Sequence, residues 1–419
     1  MAFMEREAAG RDARNAVRVF YHAGDHVRVR VLLNCSTLVK GGALQVAASF
    51  IQTAMSTSDD IAWHYVISKN IAEELEQLGV ASMSHSVSVV SPSPARNIQS
   101  RKILRKLAQD INPDIVFTLF GPAYVDFVQP HLCGVADGWV THGDRWAWRT
   151  VQGPVNAVKL LGRILYKAVM FRKADAWVTE TATAKEGMSN RLRIQKERIT
   201  IIPNNCAKSY LRCETVTNVP SGGDNLRILC MAAYYRHKYL EIVPVVAKEL
   251  RSIQPDLRFE FVMTLPGEGD GIRKVMSKAR ALGVDDRIVN AGYVPLGQGP
   301  DIYRACHMLF LPSVLETFSA SYPEAMAMGV PIVTTNLSFA RDVCGNAATY
   351  FEPMNARDAA GAIIRVLKDA KLWHFLITEG KKVLHALPTQ EMKYEMYKNC
   401  IYALHRRNCD KIRNVTPAG

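Results

Sequence analysis

Two successive series of short apolar runs, each run followed by a segment of helical periodicity, constrain the fold more than any other feature of this chain. In the first series, "VRVRVLLNCS" at 27–36 precedes a helical pattern with Leu44, Ala47 and Ile51 on one face. A second series starts with "LRILCMAAYY" at 226–235. Such alternation is typical of a parallel sheet with helices on both faces. We therefore expect an α/β protein with two doubly wound domains.

The boundary between the two series is the polar stretch "NNCAKSYLRCETVTNVPSGGDN" at 204–225, which has no apolar period. A chain of 419 residues also exceeds what one hydrophobic core usually holds. We expect the C-terminal helices to pack back on the N-terminal domain. The predicted segments are an extension (1–26), an N-terminal domain (27–205), a linker (206–225), a C-terminal domain (226–385) and C-terminal helices (386–419).

The composition indicates an anionic partner. The net charge is +13, which fits phosphorylated small molecules, an acidic membrane surface or nucleic acid. Nine cysteines without a CxxC pair favour a reducing cytoplasm and argue against a metal ribbon or a disulfide framework. No apolar run is long enough for a membrane-spanning helix, and the first 26 residues lack the apolar core of a secretory signal.

The stretch "LETFSASYPEAMAMGVPIVTT" at 315–335 places Glu316 and Glu324 on either side of small, hydroxyl-bearing residues. Pro323 suits the first turn of a short helix that Gly329 can end. Ser321 and Glu324 have the spacing of a capping box, and the two roles are compatible, since Ser321 can cap the helix while Glu324 binds a ligand. A helix N-terminus attracts phosphate, and carboxylates accept hydrogen bonds from sugar hydroxyls. A nucleotide sugar has both groups.

The longer stretch "PSVLETFSASYPEAMAMGVPIVTT" resembles the Glu-x7-Glu motif of retaining glycosyltransferases with the GT-B fold (family four, glycosyltransferase group 1). Four other stretches are similar to the family and occur in its order: "LLNCSTLVKGGALQVAASFI", "ADAWVTETATAKEGMSNRLRIQKERITIIPNN", "RIVNAGYVPLGQGPDIYRACHMLFLPS" and "RDVCGNAATYFEPMNARDAAGAI". The resemblance covers roughly residues 27–385 by these quoted stretches. It implies two Rossmann-like domains that face each other across a cleft.

The resemblance also implies roles for individual residues. Glu324 would hold the ribose of the donor nucleotide, and Glu316 would lie beside the transferred sugar as the candidate catalytic residue. Ala233 stands where the family more often has an arginine, and Asp137 and Trp139, followed by His142, stand where it often has a histidine. We assign no catalytic base and no metal. The other expected donor-binding residues are Lys238, Arg236, Phe318, Ser319, Ala320, Ser321, Gly41, Gly42, Tyr293 and Val294.

The function implied by the resemblance is transfer of a sugar from a UDP- or GDP-type donor to a glycan or polyprenyl-linked acceptor. Surface polysaccharide synthesis (O-antigen and other lipopolysaccharide, capsule or exopolysaccharide) is the expected setting, with no permanently bound cofactor and no nucleic acid partner. "KLLGRILYKAVMFRK" at 159–173 forms either a membrane-surface helix or a packed helix with a solvated basic face. The expected location is cytoplasmic or peripheral at the inner face of the cytoplasmic membrane.

Two alternatives remain open at this point. A nucleotide-sugar epimerase, or another sugar enzyme of the GT-B fold such as a phosphorylase, would share the two-domain architecture. A basic nucleic-acid-binding protein would explain the charge, but the basic residues are dispersed and no binding module is recognisable. A nicotinamide enzyme is disfavoured because no G-x-G-x-x-G follows a predicted strand.

Overall fold

Runs of β-branched and aliphatic residues form the strands of two separate parallel sheets. The computed structural model describes residues 28–415 except for 40, 59, 81–85, 216–219 and 221–223. The predicted extension at 1–26, part of the predicted linker and residues 416–419 lie outside the described residues.

The first sheet has seven parallel strands in the order β3-β2-β1-β4-β5-β6-β7. Its strands are β1 (Val29–Cys35), β2 (Ile61–Ile67), β3 (Val87–Val89), β4 (Ile115–Thr118), β5 (His131–Val135), β6 (Ala176–Thr179) and β7 (Ile199–Ile201). The order reverses on the two sides of β1, which pairs with both β2 and β4. This switch point opens a crevice at the carboxyl end of β1.

The second sheet has six parallel strands in the order β10-β9-β8-β11-β12-β13. Its strands are β8 (Leu226–Cys230), β9 (Phe259–Met263), β10 (Ile288–Asn290), β11 (Met308–Leu311), β12 (Ile332–Thr335) and β13 (Ala348–Phe351). Here the order reverses at β8, between β9 and β11. The two sheets confirm the predicted class, an α/β protein with two Rossmann-like domains.

Helices cover both sheets. Those of the first half are α1 (Gly42–Ser56), α2 (Lys69–Gln77), α3 (Ile98–Ile111), α4 (Gly138–Thr141), α5 (Arg145–Arg149), α6 (Pro154–Phe171), α7 (Ala182–Leu192) and α8 (Lys208–Leu211). Those of the second half are α9 (Val243–Ile253), α10 (Asp270–Leu282), α11 (Gly299–Arg304), α12 (Ser321–Met328), α13 (Ser338–Cys344), α14 (Ala356–Lys368), α15 (Ala370–Ala386) and α16 (Gln390–Val415).

The last helix, α16, packs on the N-terminal sheet. Its Tyr394 and Tyr397 lie 5.4 Å and 5.5 Å from the Phe50 ring of α1, measured between centroids. Tyr397 also contacts Phe117 of β4 at 5.2 Å. These buried aromatic pairs, together with Ile401, place α16 in the N-terminal core.

Part of the predicted linker is packed structure. Tyr210 of α8 is buried, and its ring meets that of Tyr303 on α11 at 5.7 Å. Cys206 belongs to the same apolar cluster, which lies beneath α12. The polar composition of 204–225 hid these two anchors, because isolated buried residues leave no periodic signal.

Candidate functional site

The loop between β11 and α12 carries the two glutamates of the sequence motif at the carboxyl end of its sheet. Glu316 forms an ion pair with Lys238, which follows β8. The two side chains are only 10% and 14% exposed. In such an enclosed place the charges attract each other more strongly than on the surface, because less water screens them. The structure therefore brings Lys238 and Glu316, both predicted site residues, into one group.

Glu324 lies on α12, where its side chain is partly buried. The Tyr303 hydroxyl donates to Glu324 Oε2 at 3.1 Å. Burial raises the pKa of Glu324 to about 7, although Tyr303, Tyr210 and the charge of Lys238 act in the opposite direction. The Tyr210 hydroxyl has no hydrogen bond of good geometry within the described part of the chain, yet it lies close enough to affect that pKa. Sequence reasoning missed both tyrosines.

The predicted capping box is absent from the described start of α12. The helix begins at Ser321 after Ala320, and no side chain caps it. Instead, the Ser321 hydroxyl donates to the Met231 carbonyl at 2.9 Å. The prediction was wrong because a backbone acceptor from the neighbouring β8 region reaches Ser321, while the tyrosine hydroxyl engages Glu324. Its carboxylate is therefore not used to cap the helix.

Small residues line the turn that leads into α12. Ser319 is buried, Ala320 is exposed and Phe318 is partly buried. The Ser319 and Ala320 carbonyls accept the first turn's hydrogen bonds, from Tyr322 N and Glu324 N. Residues of this size let a ligand approach the backbone at the positive end of the helix dipole.

Gly41 and Gly42 stand at the start of α1, across from the C-terminal domain. Gly41 has φ +76°, a region that disfavours other residues, and a Cβ built there would lie 3.9 Å from the Tyr235 hydroxyl oxygen. Gly42 is the first residue of α1. Gly41 therefore faces the loop after β8, as a cleft between the domains requires.

Tyr293 and Val294 lie in the loop between β10 and α11. The Tyr293 side chain is 71% exposed. The same chain segment continues into α11, whose Tyr303 contacts Glu324. The structure thus places Tyr293 and Val294 on the surface leading to the site and does not pack them against the motif.

Two contacts cross the cleft beside Glu316. His142 Nε2 donates to the Glu316 carbonyl oxygen at 2.8 Å, while its Nδ1 lies 2.8 Å from Thr141 Oγ1. A carbonyl only accepts, so the Nε2 proton is fixed and Nδ1 is left to accept. Burial lowers the pKa of His142, which favours this neutral form. His142 therefore holds the backbone of the motif at Glu316 in place from the N-terminal domain.

The second crossing contact joins Thr317 to Glu180, at the carboxyl end of β6. Thr317 Oγ1 donates to Glu180 Oε2 at 3.0 Å, and both residues are buried. Burial raises the pKa of Glu180 to about 7, while the nearby Lys393 of α16 opposes that shift. Lys393 itself donates to Asn204 Oδ1. Residues of both domains and the last helix thus meet directly behind the motif.

A cavity of about 350 Å³ opens in the cleft next to Lys238. The N-terminal wall includes Trp139 and α6, and the C-terminal wall is the turn Tyr235–His237. Arg236 lines this cavity, so the structure places it beside the cleft. Lys238, and not Arg236, forms the ion pair with Glu316. Asp137, at the family's usual histidine position, binds the Lys167 ammonium at 2.6 Å and caps α4.

The described residues were also compared with the requirements of a metal site and of a membrane-spanning helix. No group of three metal-ligating side chains occurs among the described residues. No helix in the described ranges is long and apolar enough to cross a membrane.

The comparisons with known proteins agree with this geometry. Residues 217–383 match the family model described as glycosyl transferases group 1. Mannosylfructose-phosphate synthase of Agrobacterium fabrum is 29% identical over 120 residues, 28% of this chain and 26% of that protein. The serotype-specific mannosyltransferase WbdA of Escherichia coli is 22% identical over 335 residues, 73% of this chain and 39% of that protein. The chain thus spans less than half the length of these two relatives.

Among solved structures, the Anabaena protein HepE, in complex with UDP and glucose, superposes with a TM-score of 0.64 at 14% identity. The alignment covers 90% of this chain and 100% of that chain. The chain therefore has the GT-B fold, as predicted. The match to the family model at 217–383 agrees with the resemblance seen in the sequence, over the domain that holds Lys238, Glu316 and Glu324.

Proposed function

We propose that this protein is a retaining glycosyltransferase that moves a sugar from a nucleoside diphosphate donor to a glycan or lipid-linked acceptor. The observation that carries the proposal is the arrangement around the loop 317–321. The Glu316–Lys238 ion pair lies on one side and the partly buried Glu324 on the other, at the carboxyl end of β11. The family match over 217–383 supports the same activity.

Each group in this arrangement has a distinct role in the proposal. Glu324 accepts hydrogen bonds from the ribose, and Tyr293 and Val294 lie beside the base. The loop Phe318–Ser321, the N-terminus of α12 and Lys238 stabilise the diphosphate as it leaves, and Arg236 adds a second cation. Glu316 anchors the sugar hydroxyls. Gly41 and Gly42 allow the N-terminal domain to approach the donor closely.

The setting we propose is the synthesis of a surface polysaccharide, since the WbdA relative is named a serotype-specific mannosyltransferase. HepE was solved with UDP and glucose, which supports a UDP-type donor, with GDP as the alternative. We place the protein at the inner face of the cytoplasmic membrane. Helix α6 supports that location, because its Val155, Val158 and Leu165 are 63%, 70% and 59% exposed.

The test of the activity begins with ligand-dependent stabilisation. A panel of UDP, GDP, ADP and their sugars is screened by thermal unfolding, because a bound ligand raises the midpoint by mass action. The donor found in this way is then incubated with acceptor glycans, and release of the nucleoside diphosphate is followed. Glu324→Ala and Lys238→Gln should abolish stabilisation, whereas Glu197→Gln, an exposed acid outside the site, should not. If Glu324→Ala bound nucleotide like the wild type, the donor site would be misassigned.

Membrane association is tested separately by flotation with vesicles of neutral or anionic lipid. The wild type should float with anionic vesicles, and the double substitution Val158→Ser and Leu165→Ser should abolish flotation without changing the unfolding midpoint. Equal flotation of the two proteins would show that α6 is not the helix that binds the membrane.

A further inference from the structure

The cavity between α6 and the Tyr235–His237 turn has features that the donor site does not use. One wall of the cavity, Tyr235–His237, directly precedes Lys238 in the chain. The His237 carbonyl accepts a hydrogen bond from the backbone N–H of Val314, in the loop that follows β11. The cavity is therefore joined to the donor loop, and its other wall belongs to the N-terminal domain. A second substrate bound here would lie next to the reacting sugar.

The charge of the cavity favours an anion. Its lining includes three cations, Arg163, Lys167 and Arg236, and a single carboxylate, Asp137. Lys167 is engaged by Asp137 at 2.6 Å. Within the described part of the chain Arg163 has no ion-pair partner, and its side chain is exposed. A guanidinium in this position can bind a phosphate through two hydrogen bonds.

The remaining lining suits a sugar. The Tyr235 and His237 rings are stacked, with centroids 5.4 Å apart and planes at 11°. Trp139 stands edge-on to His237 at 6.3 Å. Burial lowers the pKa of His237, so this ring is neutral at physiological pH. Flat, neutral aromatic surfaces pack well against the C–H faces of sugar rings.

We propose that this cavity is the acceptor subsite and that the acceptor is a sugar bearing a phosphate or diphosphate group, bound by Arg163. The inference rests on the proposed glycosyltransferase activity and specifies its acceptor. Arg236, on the opposite wall, remains with the donor diphosphate. The phosphate of the acceptor belongs either to a free sugar phosphate or to the headgroup of a lipid-linked sugar, since both present the same anion to Arg163.

The experiment measures binding of matched probes to the full chain by calorimetry. The probes are mannose 1-phosphate, methyl α-mannoside, and mannose linked through diphosphate to a short prenyl chain. Arg163→Gln should weaken both anionic probes about 10- to 100-fold and change the neutral glycoside less than about twofold, since one charge-assisted contact is lost. Arg163→Lys should recover part of the affinity. Arg280→Gln, an exposed arginine of α10, is the charge-matched control.

Comparing the affinities of the two anionic probes identifies which molecule carries the phosphate. Tighter binding of the prenyl-linked probe than of mannose 1-phosphate supports a lipid-linked acceptor, and equal affinity supports a free sugar phosphate. Equal loss in Arg163→Gln and Arg280→Gln would overturn the proposal, because the effect would then be net charge alone. A loss of nucleotide affinity without a loss of probe affinity would also overturn it, by assigning Arg163 to the donor. Failure of the wild type to bind any nucleotide sugar contradicts the proposed function instead, and is measured independently.

Discussion

Replacing Glu324 by glutamine should stabilise the protein above neutral pH while weakening nucleotide binding. The carboxylate is partly buried, with a tyrosine hydroxyl as its hydrogen-bond donor. Glutamine keeps the shape of the glutamate side chain and retains an oxygen that can accept the hydrogen bond from Tyr303. It removes the charge whose burial is unfavourable. Opposite effects on stability and binding are expected when a buried ionisable group serves a ligand.

The size of the effect follows from the pKa shift. Burial raises the pKa of Glu324 from 4.5 to about 7. At 1.36 kcal/mol per unit, the carboxylate therefore costs the folded wild type about 3 kcal/mol above pH 7. The folded state holds its proton more tightly than the unfolded state, so this cost appears as the pH rises from about 4.5 through 7. At pH 5 the cost is about 1 kcal/mol or less.

The assay is thermal unfolding of the wild type and Glu324→Gln from pH 5 to 8.5. A unit of 150–250 residues shifts by roughly 2–4 °C per kcal/mol, so the variant should melt roughly 6–12 °C higher at pH 8. Taking the difference between the two proteins cancels other titrating groups, including Glu180 and Lys393. A gap that does not grow with pH, or a variant that melts lower at pH 8, would refute the reasoning.

The same substitution is expected to weaken the donor nucleotide about 10- to 100-fold, because hydrogen bonds from ribose hydroxyls to a charged acceptor are replaced by neutral ones. Wild-type affinity should also fall as the pH drops below about 7, where the folded protein protonates Glu324. Glu324→Gln should lose that pH dependence. Calorimetric titration at pH 6 and 8 measures both effects.

Three further predictions concern the cleft. Gly41→Ala should destabilise the protein by about 1–2 kcal/mol, because its φ is +76°. Gly42→Ala, one residue on and without positive φ, should stabilise α1 by about 0.5–1 kcal/mol; equal effects in chemical unfolding would contradict this. Thr317→Val should cost about 1–3 kcal/mol by removing a hydrogen bond to buried Glu180, and more at pH 8 than at pH 6, since that bond lowers the pKa of Glu180. A pH-independent loss would show that the charged form is not what Thr317 stabilises. Lys238→Met should reduce donor affinity at least about tenfold in the same titration, and an unchanged affinity would place the diphosphate elsewhere.

Local patterns were sufficient to predict the order of strands and helices and the position of the motif. The apolar runs at 27–36 and 226–235 contain β1 and β8 as expected. The stretch "RIVNAGYV" at 287–294 has the composition of one strand, yet β10 ends at Asn290, because Gly292 with φ +82° lies in an irregular loop. Periodicity marks where an element lies but marks its end poorly.

The partners of the site residues were not predictable in the same way. His142 meets the Glu316 carbonyl across 174 positions of chain, and Thr317 meets Glu180 across 137. Tyr303 lies within a stretch that the resemblance already included, but nothing in the spacing indicated that its hydroxyl would face Glu324. Likewise, the Ser321–Glu324 spacing predicted a capping box that the Met231 carbonyl prevents.

The sequence by itself determined the two α/β halves, the glutamate pair and the location of the donor loop, because these depend on periodicities and spacings over a few residues. Only the tertiary structure decided that Lys238 pairs with Glu316, that Glu324 is buried deeply enough for its pKa to rise to about 7, and that α6 and the Tyr235–His237 turn enclose a cationic cavity. The physical reason is that burial and charge pairing depend on how two separate sheets and α16 pack together, and no local stretch of sequence contains that information.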